Sequence, residues 1–236
     1  MSDSVIVFSR QWAVTAAVAA LTERVCSGPV LPVFTQQALE TVLAAHPDNG
    51  VILGLNPHEH VRALHDLAPH LRGRRVLFVA RMFYWTDRIL PSFWGLEDCS
   101  FCTLDDFHSP GQRRTTLRRI IPVIRNGKAR REALRVLLPS GPVKSLEQIN
   151  LWLEQQKRDV GLIGRERELL LMLAEGNRSE EMEAQRISYF KKRGLEKLQM
   201  PLHVSSLYRG IMLRPELQVS LPQAEQDTLR GEGRTA

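Results

Sequence analysis

The sequence predicts an α/β protein: a doubly wound parallel sheet followed by a small all-α unit. Three observations carry this. Through the first half, short continuously apolar runs such as Val5-Ile6-Val7-Phe8 and Val51-Ile52-Leu53 alternate with helix-forming stretches. Strands of a parallel sheet read this way because helices cover both of their faces. From residue 145 onward strand-like runs stop and apolar residues recur at helical spacing. Between the two regimes stands Pro139-Ser140-Gly141-Pro142, a chain breaker.

The elements follow in order. Val5–Phe8 is a run of strand formers and 12–25 an alanine-rich helix. Residues 29–34 read as a second extended stretch, 36–45 as a helix, 51–53 as a buried strand and 58–71 as a helix. Residues 75–80 form a further strand, and 101–104 the last. The stretch 115–125 then reads as a closing helix, with Leu117, Ile120, Ile121 and Ile124 at helical spacing and Pro122 expected to kink it. Residues 145–156 suit a linker helix with Leu146, Ile149 and Leu153 on one side. In 162–176 a charged first turn leads into Leu169, Leu170 and Leu173 and ends on Gly176, an amphipathic helix with a glycine C-cap. In 187–200 Ile187, Phe190, Gly194 and Leu198 share a face, which turns Lys191, Lys192 and Lys197 outward and leaves Arg193 near the boundary. Val204, Leu207, Tyr208 and Ile211 give a final helix, and from Pro215 the chain is polar. The expected organisation is an α/β domain over 1–127, a linker with a helix over 128–160, a helical domain over 161–213 and a flexible tail over 214–236.

Composition bounds the function. With 43% hydrophobic and 25% charged residues in 236, the chain is an ordinary globular protein. No stretch approaches the roughly 20 apolar residues of a membrane span, so no membrane insertion is expected. The N-terminus lacks a basic region followed by an apolar core, and three cysteines suit a reducing compartment, so a cytoplasmic location is expected. The net charge of +6 is uneven: residues 108–140 hold nine Lys and Arg against one acid, and 1–107 hold eight against eleven. Such a segment suits an anionic partner, or is simply a solvated arginine-rich helix.

Two family resemblances add to this. Residues 162–176 resemble the opening helix of the LuxR-type helix-turn-helix domain. Residues 187–200 resemble its recognition segment, with Leu195-Glu196-Lys197-Leu198 on the familiar Phe/Met-x-Lys-Leu. The element order of the first 125 or so residues resembles the receiver domain of response regulators. Together the chain is similar to the atypical enterobacterial LuxR-type regulators, which join a degenerate receiver to a DNA-binding domain. The resemblance implies a DNA-binding transcriptional regulator that partners either itself or a response regulator.

The departures are specific. Receivers need an acidic pair after the first strand, an aspartate after the third, a Thr/Ser after the fourth and a Lys after the fifth, because metal and cation stabilise the charge on the transferred phosphoryl oxygens. Here the first strand leads into Ser9-Arg10-Gln11-Trp12, and no carboxylate occurs between Asp48 and Glu59. The fourth strand leads into Arg81-Met82 and the fifth into Asp105-Asp106. This is a pseudo-receiver, unable to be switched by phospho-aspartate. In the second half about six residues are missing between Met182 and Ile187, where the family completes its second helix and turn, and Glu180, Glu181 and Glu183 add negative charge there.

On this pattern Ser188, Tyr189, Lys191, Lys192, Arg193 and Lys197 are the candidate DNA contacts. Arg113, Arg114, Arg118 and Arg119, within a basic run reaching Arg135, are candidate phosphate contacts. Phe83, Tyr84 and Trp85 form either a partner surface or part of the core. The final helix is either a dimer interface or core. The alternative function is an adaptor that no longer binds DNA and docks another regulator or a membrane-associated assembly. Cys99 and Cys102 resemble half a zinc site, but no second pair completes it, and small buried hydrophobes is the better reading. His58, His60, His65 and His70 are read as exposed or capping. No catalytic constellation, cofactor loop or metal site is found, and no enzyme is expected.

Overall fold

The structure, a computed structural model, describes residues 4–120, 146–177 and 184–223. Five strands, β1 (Val5–Ser9), β2 (Val30–Val33), β3 (Gly50–Gly54), β4 (Val76–Ala80) and β5 (Cys99–Thr103), form one all-parallel sheet in the order β2-β1-β3-β4-β5. The order reverses direction between β1 and β3, as in doubly wound sheets. Alternation along each strand divides the core. Val5, Val7, Ile52, Leu77 and Val79 face α1 (Trp12–Glu23) through Val18 and Ala19. Ile6, Phe8, Val51, Leu53 and Phe78 share the other cluster with residues of α2 (Gln36–Ala45) and α3 (Val61–Leu71).

The helices differ from expectation where proline sets the boundary. The 58–71 helix is split: Pro57–Glu59 is a single 3-10 turn and α3 begins at Val61. After α4 (Trp85–Phe93) and β5, the expected 115–125 helix starts earlier. It is a short α5 (Leu104–His108), then α6 (Pro110–Ile120) opening on Pro110, the position at which a helix tolerates proline best. Residues 121–125, Pro122 among them, and the rest of the basic run to Arg135 lie outside the described residues.

The helical part comprises α7 (Leu146–Asp159), α8 (Gly164–Ala174), α9 (Ala184–Lys197) and α10 (Val204–Gly210). Its apolar residues are continuous with those of the sheet. Ile149, Leu153, Leu170, Leu195, Leu207 and Ile211 belong to the same buried cluster as Tyr84, Trp85, Leu90 and Trp94. The helix expected as a linker therefore packs: Trp152 meets Phe93 at a ring distance of 5.1 Å, and the Asn150 side chain pairs with both backbone groups of Leu213. The dimer-or-core alternative for the last helix resolves as core for Leu207 and Ile211, which are 0% and 1% exposed.

The expected flexible tail is corrected as far as residue 223. After a 3-10 turn at Pro215–Leu217, the chain runs back along the first half. Val219 N–H donates to the Glu59 carbonyl (2.8 Å) and Gln36 N–H donates to the Pro222 carbonyl (2.9 Å). The Gln218 amide donates to the His58 carbonyl (2.8 Å) and accepts from Val61 N–H (3.3 Å). Leu221 is buried beneath this strap. Residues 224–236 lie outside the described residues.

The expectation of exposed or capping histidines is corrected at His58, while His60 stands at the N-cap of α3 without a side-chain cap bond. His58 and His60 are buried, because the β3–α3 connection dips beneath α4 and the strap. Burial pushes the His60 imidazole below the usual histidine range, outweighing the Asn56 carbonyl and Glu59, which pull it up. The unfolded chain then binds the proton more readily than the folded one. This contribution to stability is full above about pH 6.5 and is lost as pH falls through the depressed folded value. Urea midpoints are expected to drop between about pH 7.5 and 5.5, and His60→Gln to flatten that drop. An unchanged slope in the variant would show that another group is responsible.

Among the described residues no helix is long and apolar enough to cross a membrane, and no group of three or more His, Cys, Asp or Glu is arranged to hold a metal ion.

Candidate nucleic-acid interface

The basic helix α9 is positioned by α8. The first turn of α8 carries Glu166, whose carboxylate accepts from Ile163 N–H (3.2 Å) and so caps the helix start. Leu169, Leu170 and Ala174 are buried against α9 and α10. The helix stops at Gly176, whose φ of +77° is the left-handed conformation glycine adopts most easily. Asn177 N–H reaches back to the Met172 carbonyl (3.0 Å) and Gly176 N–H to Leu173 (3.2 Å), a Schellman closure.

Helix α9 lies close on α8 because Gly194 has no side chain. A Cβ there would stand 2.8 Å from Leu170 Cδ1. Gly194, Leu195 and Leu198 are buried and Ile187 and Phe190 half-buried, so the inward face matches the sequence pattern. Helix α9 closes through Gln199 (φ +51°), with Met200 N–H donating to the Leu195 carbonyl (2.9 Å). The strained Gln199 side chain accepts from Arg88 (3.4 Å), which ties the end of α9 to α4.

The outward face bears most of the candidate contacts. Ser188, Tyr189, Lys192 and Arg193 are exposed, and Lys191 is half-buried beside them. Arg193 donates to the Tyr189 hydroxyl (2.8 Å), with its guanidinium 5.5 Å from that ring centre. Lys192 is 3.9 Å from Glu196, both well exposed, a pairing that solvent and salt weaken.

Three expected contacts are corrected. Lys197 does not project into solvent. Its ammonium bonds Glu166 Oε2 (2.6 Å) and the Gly161 carbonyl (2.8 Å), because Glu166 is fully buried and needs a cation. Arg193 Nε stands 3.5 Å from the other Glu166 oxygen. Arg113 is 6% exposed and donates to the carbonyls of Phe107 and His108, so it joins α5 to α6 and cannot meet a phosphate. Arg114, Arg118 and Arg119 are exposed on the outer face of α6.

The third correction concerns Phe83, Tyr84 and Trp85, which are 9%, 7% and 5% exposed. Phe83 packs edge-on to Phe101 (5.1 Å). Tyr84 is covered by α10, where Gly210 approaches so closely that a Cβ would lie 2.9 Å from Tyr84 Cβ. These side chains belong to the core, the second of the two readings the sequence allowed, and α10 covers Tyr84 among them.

No family model, curated protein or solved structure matches this chain. The meaning of α9 rests on its own side chains. Glu180, Glu181 and Glu183 lie outside the described residues, while 184–186, expected to complete the second helix and turn, form the first turn of α9 instead.

Sequence reasoning missed two groups. Glu166 was legible as an N-terminal helix acid, but its burial and its claim on Lys197 depend on how α9 crosses α8. Asp87 had no sequence signal at all. It is fully buried and accepts from His58 N–H (2.9 Å), His58 Nδ1 (2.8 Å) and Tyr84 N–H (2.9 Å).

Proposed function

We propose that the chain is a DNA-binding transcriptional regulator of LuxR-like type, acting without receiver phosphorylation and reading DNA through the outer face of α9. The observation that carries this is one helix face presenting Ser188, Tyr189, Lys191, Lys192 and Arg193 while the opposite face is locked to α8. A rigid helix with a basic, hydroxyl-bearing outer face suits the major groove, its cations near phosphates. The parallel sheet supports the receiver-like reading of the first half, and Asn56 beyond β3 leaves no carboxylate for phosphorylation. A cytoplasmic location, and a second copy or a response regulator as partner, follow from the same resemblance. The alternative, an adaptor docking another regulator or a membrane-associated assembly through the first domain, is favoured by the shortened turn and its glutamates and opposed by the retained lysines.

Lys191→Ala with Lys192→Ala is expected to abolish retention of the protein on chromosomal DNA, measured by crosslinking in the cell, without changing its melting curve. Among the described residues neither lysine bonds a buried group, so that part of the fold does not depend on them. Retention equal to that of the unaltered chain would remove α9 as the contact.

A further inference from the structure

Strand β5 ends the sheet, and among the described residues it pairs only with β4. Its outer edge opens into a groove of about 410 Å³ lined by Arg88, Cys99, Ser100, Phe101, Thr116 and Arg119. The groove takes residues from both faces of the sheet. Arg88 comes from α4, the side on which Cys99 and Phe101 pack; Thr116 and Arg119 come from α6, the side on which Cys102 packs. Two guanidinium groups thus flank one strand edge, with two hydroxyls beside them.

We propose that this groove binds the phosphate group of a small phosphoester, held between Arg88 and Arg119 against the edge of β5. Planar guanidinium forks match phosphate oxygens in pairs, and a phosphate between two of them gains bonds from each. Arg88 commits one nitrogen to Gln199 and keeps donors for a ligand. The Ser100 and Thr116 hydroxyls suit the ester oxygen or a sugar. The volume lies within the range of small-molecule sites and holds a molecule of mononucleotide size. The Cys99 thiol, pushed up to about 12 by burial and by Asp98, stays protonated and adds no negative charge.

A second β5 edge is a poor occupant. Glu97 and Asp98 precede the strand and Asp105 and Asp106 follow it. Antiparallel self-pairing would bring these acidic ends together, and like charges across strands destabilise pairing. The lysines of α9 are not needed for this site; Arg119 is shared with the candidate DNA phosphate contacts, and the duplex arm of the test separates the two readings.

The test is a titration of the isotope-labelled full chain with AMP, followed by amide NMR shifts, with adenosine and a short DNA duplex as parallel arms. AMP is expected to give saturable shifts at Ser100, Phe101, Thr116 and Arg119, and adenosine none. Arg119→Gln and Arg88→Gln are each expected to weaken AMP binding by about 10-fold or more, and Arg119→Lys to weaken it less than Arg119→Gln. Because Arg119 is exposed and bonds no buried group among the described residues, its variant tests the ligand contact rather than folding. Absence of saturation with millimolar AMP, equal shifts with adenosine, or unchanged affinity in Arg119→Gln would overturn the proposal. Shifts at these amides with duplex DNA but not with AMP would overturn the small-phosphoester assignment.

Discussion

Lys197→Met is expected to lower the unfolding free energy by about 3 kcal/mol, although this lysine belongs by sequence to the DNA-reading helix. Its partner Glu166 is fully buried, with Oε2 held by Lys197 and by Ile163 N–H. Methionine keeps the aliphatic stem and removes only the ammonium, so the buried Glu166 carboxyl group is left without its closest partner. Arg193, 3.5 Å from the other oxygen, softens the loss but does not replace the bond. The comparison is Lys192→Met. That lysine's ion pair with Glu196 is exposed and 3.9 Å apart, and its loss should cost less than about 1 kcal/mol. Urea unfolding of both variants separates the cases. If Lys197→Met unfolds with Lys192→Met and the unaltered chain, the Glu166 pair has no structural weight. A loss of DNA retention in Lys197→Met alone says little about DNA contact, because the helix itself loosens.

Asp87→Ala is expected to cost about 3–5 kcal/mol, the sum of several buried donors losing their acceptor. The two backbone N–H groups of His58 and Tyr84 belong to different loops, one after β3 and one after β4, and the carboxylate joins them. Asn56 adds a longer contact to the same group (3.4 Å) and donates to the Met82 carbonyl (2.8 Å). Alanine leaves the buried His58 and Tyr84 N–H groups without an acceptor. Such a loss is a large part of the 5–15 kcal/mol that holds a typical domain together. Melting by circular dichroism and urea titration measures it. A change below about 1 kcal/mol would mean that the loops find other partners.

The sequence reveals most of what backbone patterning controls and little of what the crossing of elements controls. The apolar runs of β1 to β4 and the helix at 36–45 are visible because period and burial follow from local composition. Boundaries shift where a single residue decides them, as Pro57 and Pro110 do. Burial of Tyr84 was not decidable from the first half alone, since its cover includes α10, more than 115 residues later. Likewise Lys191, Lys192 and Lys197 look alike on a helical wheel. They differ because one of them meets a buried glutamate from a neighbouring helix. The polar composition after Pro215 suggests a loose end, yet four backbone and amide bonds hold a short segment that composition alone marks as free.

That strap has a temporal consequence. Gln218, Val219 and Pro222 satisfy groups on Gln36, His58, Glu59 and Val61, and Leu221 fills the core above them. During synthesis these residues emerge after every element they bind. The nascent first half can pair its strands as it leaves the ribosome, but the polar groups around β3 and α3 must wait for the last described stretch of chain. A partly made chain is therefore left with an open seam, available to chaperones or to misassociation, until residues 218–222 emerge.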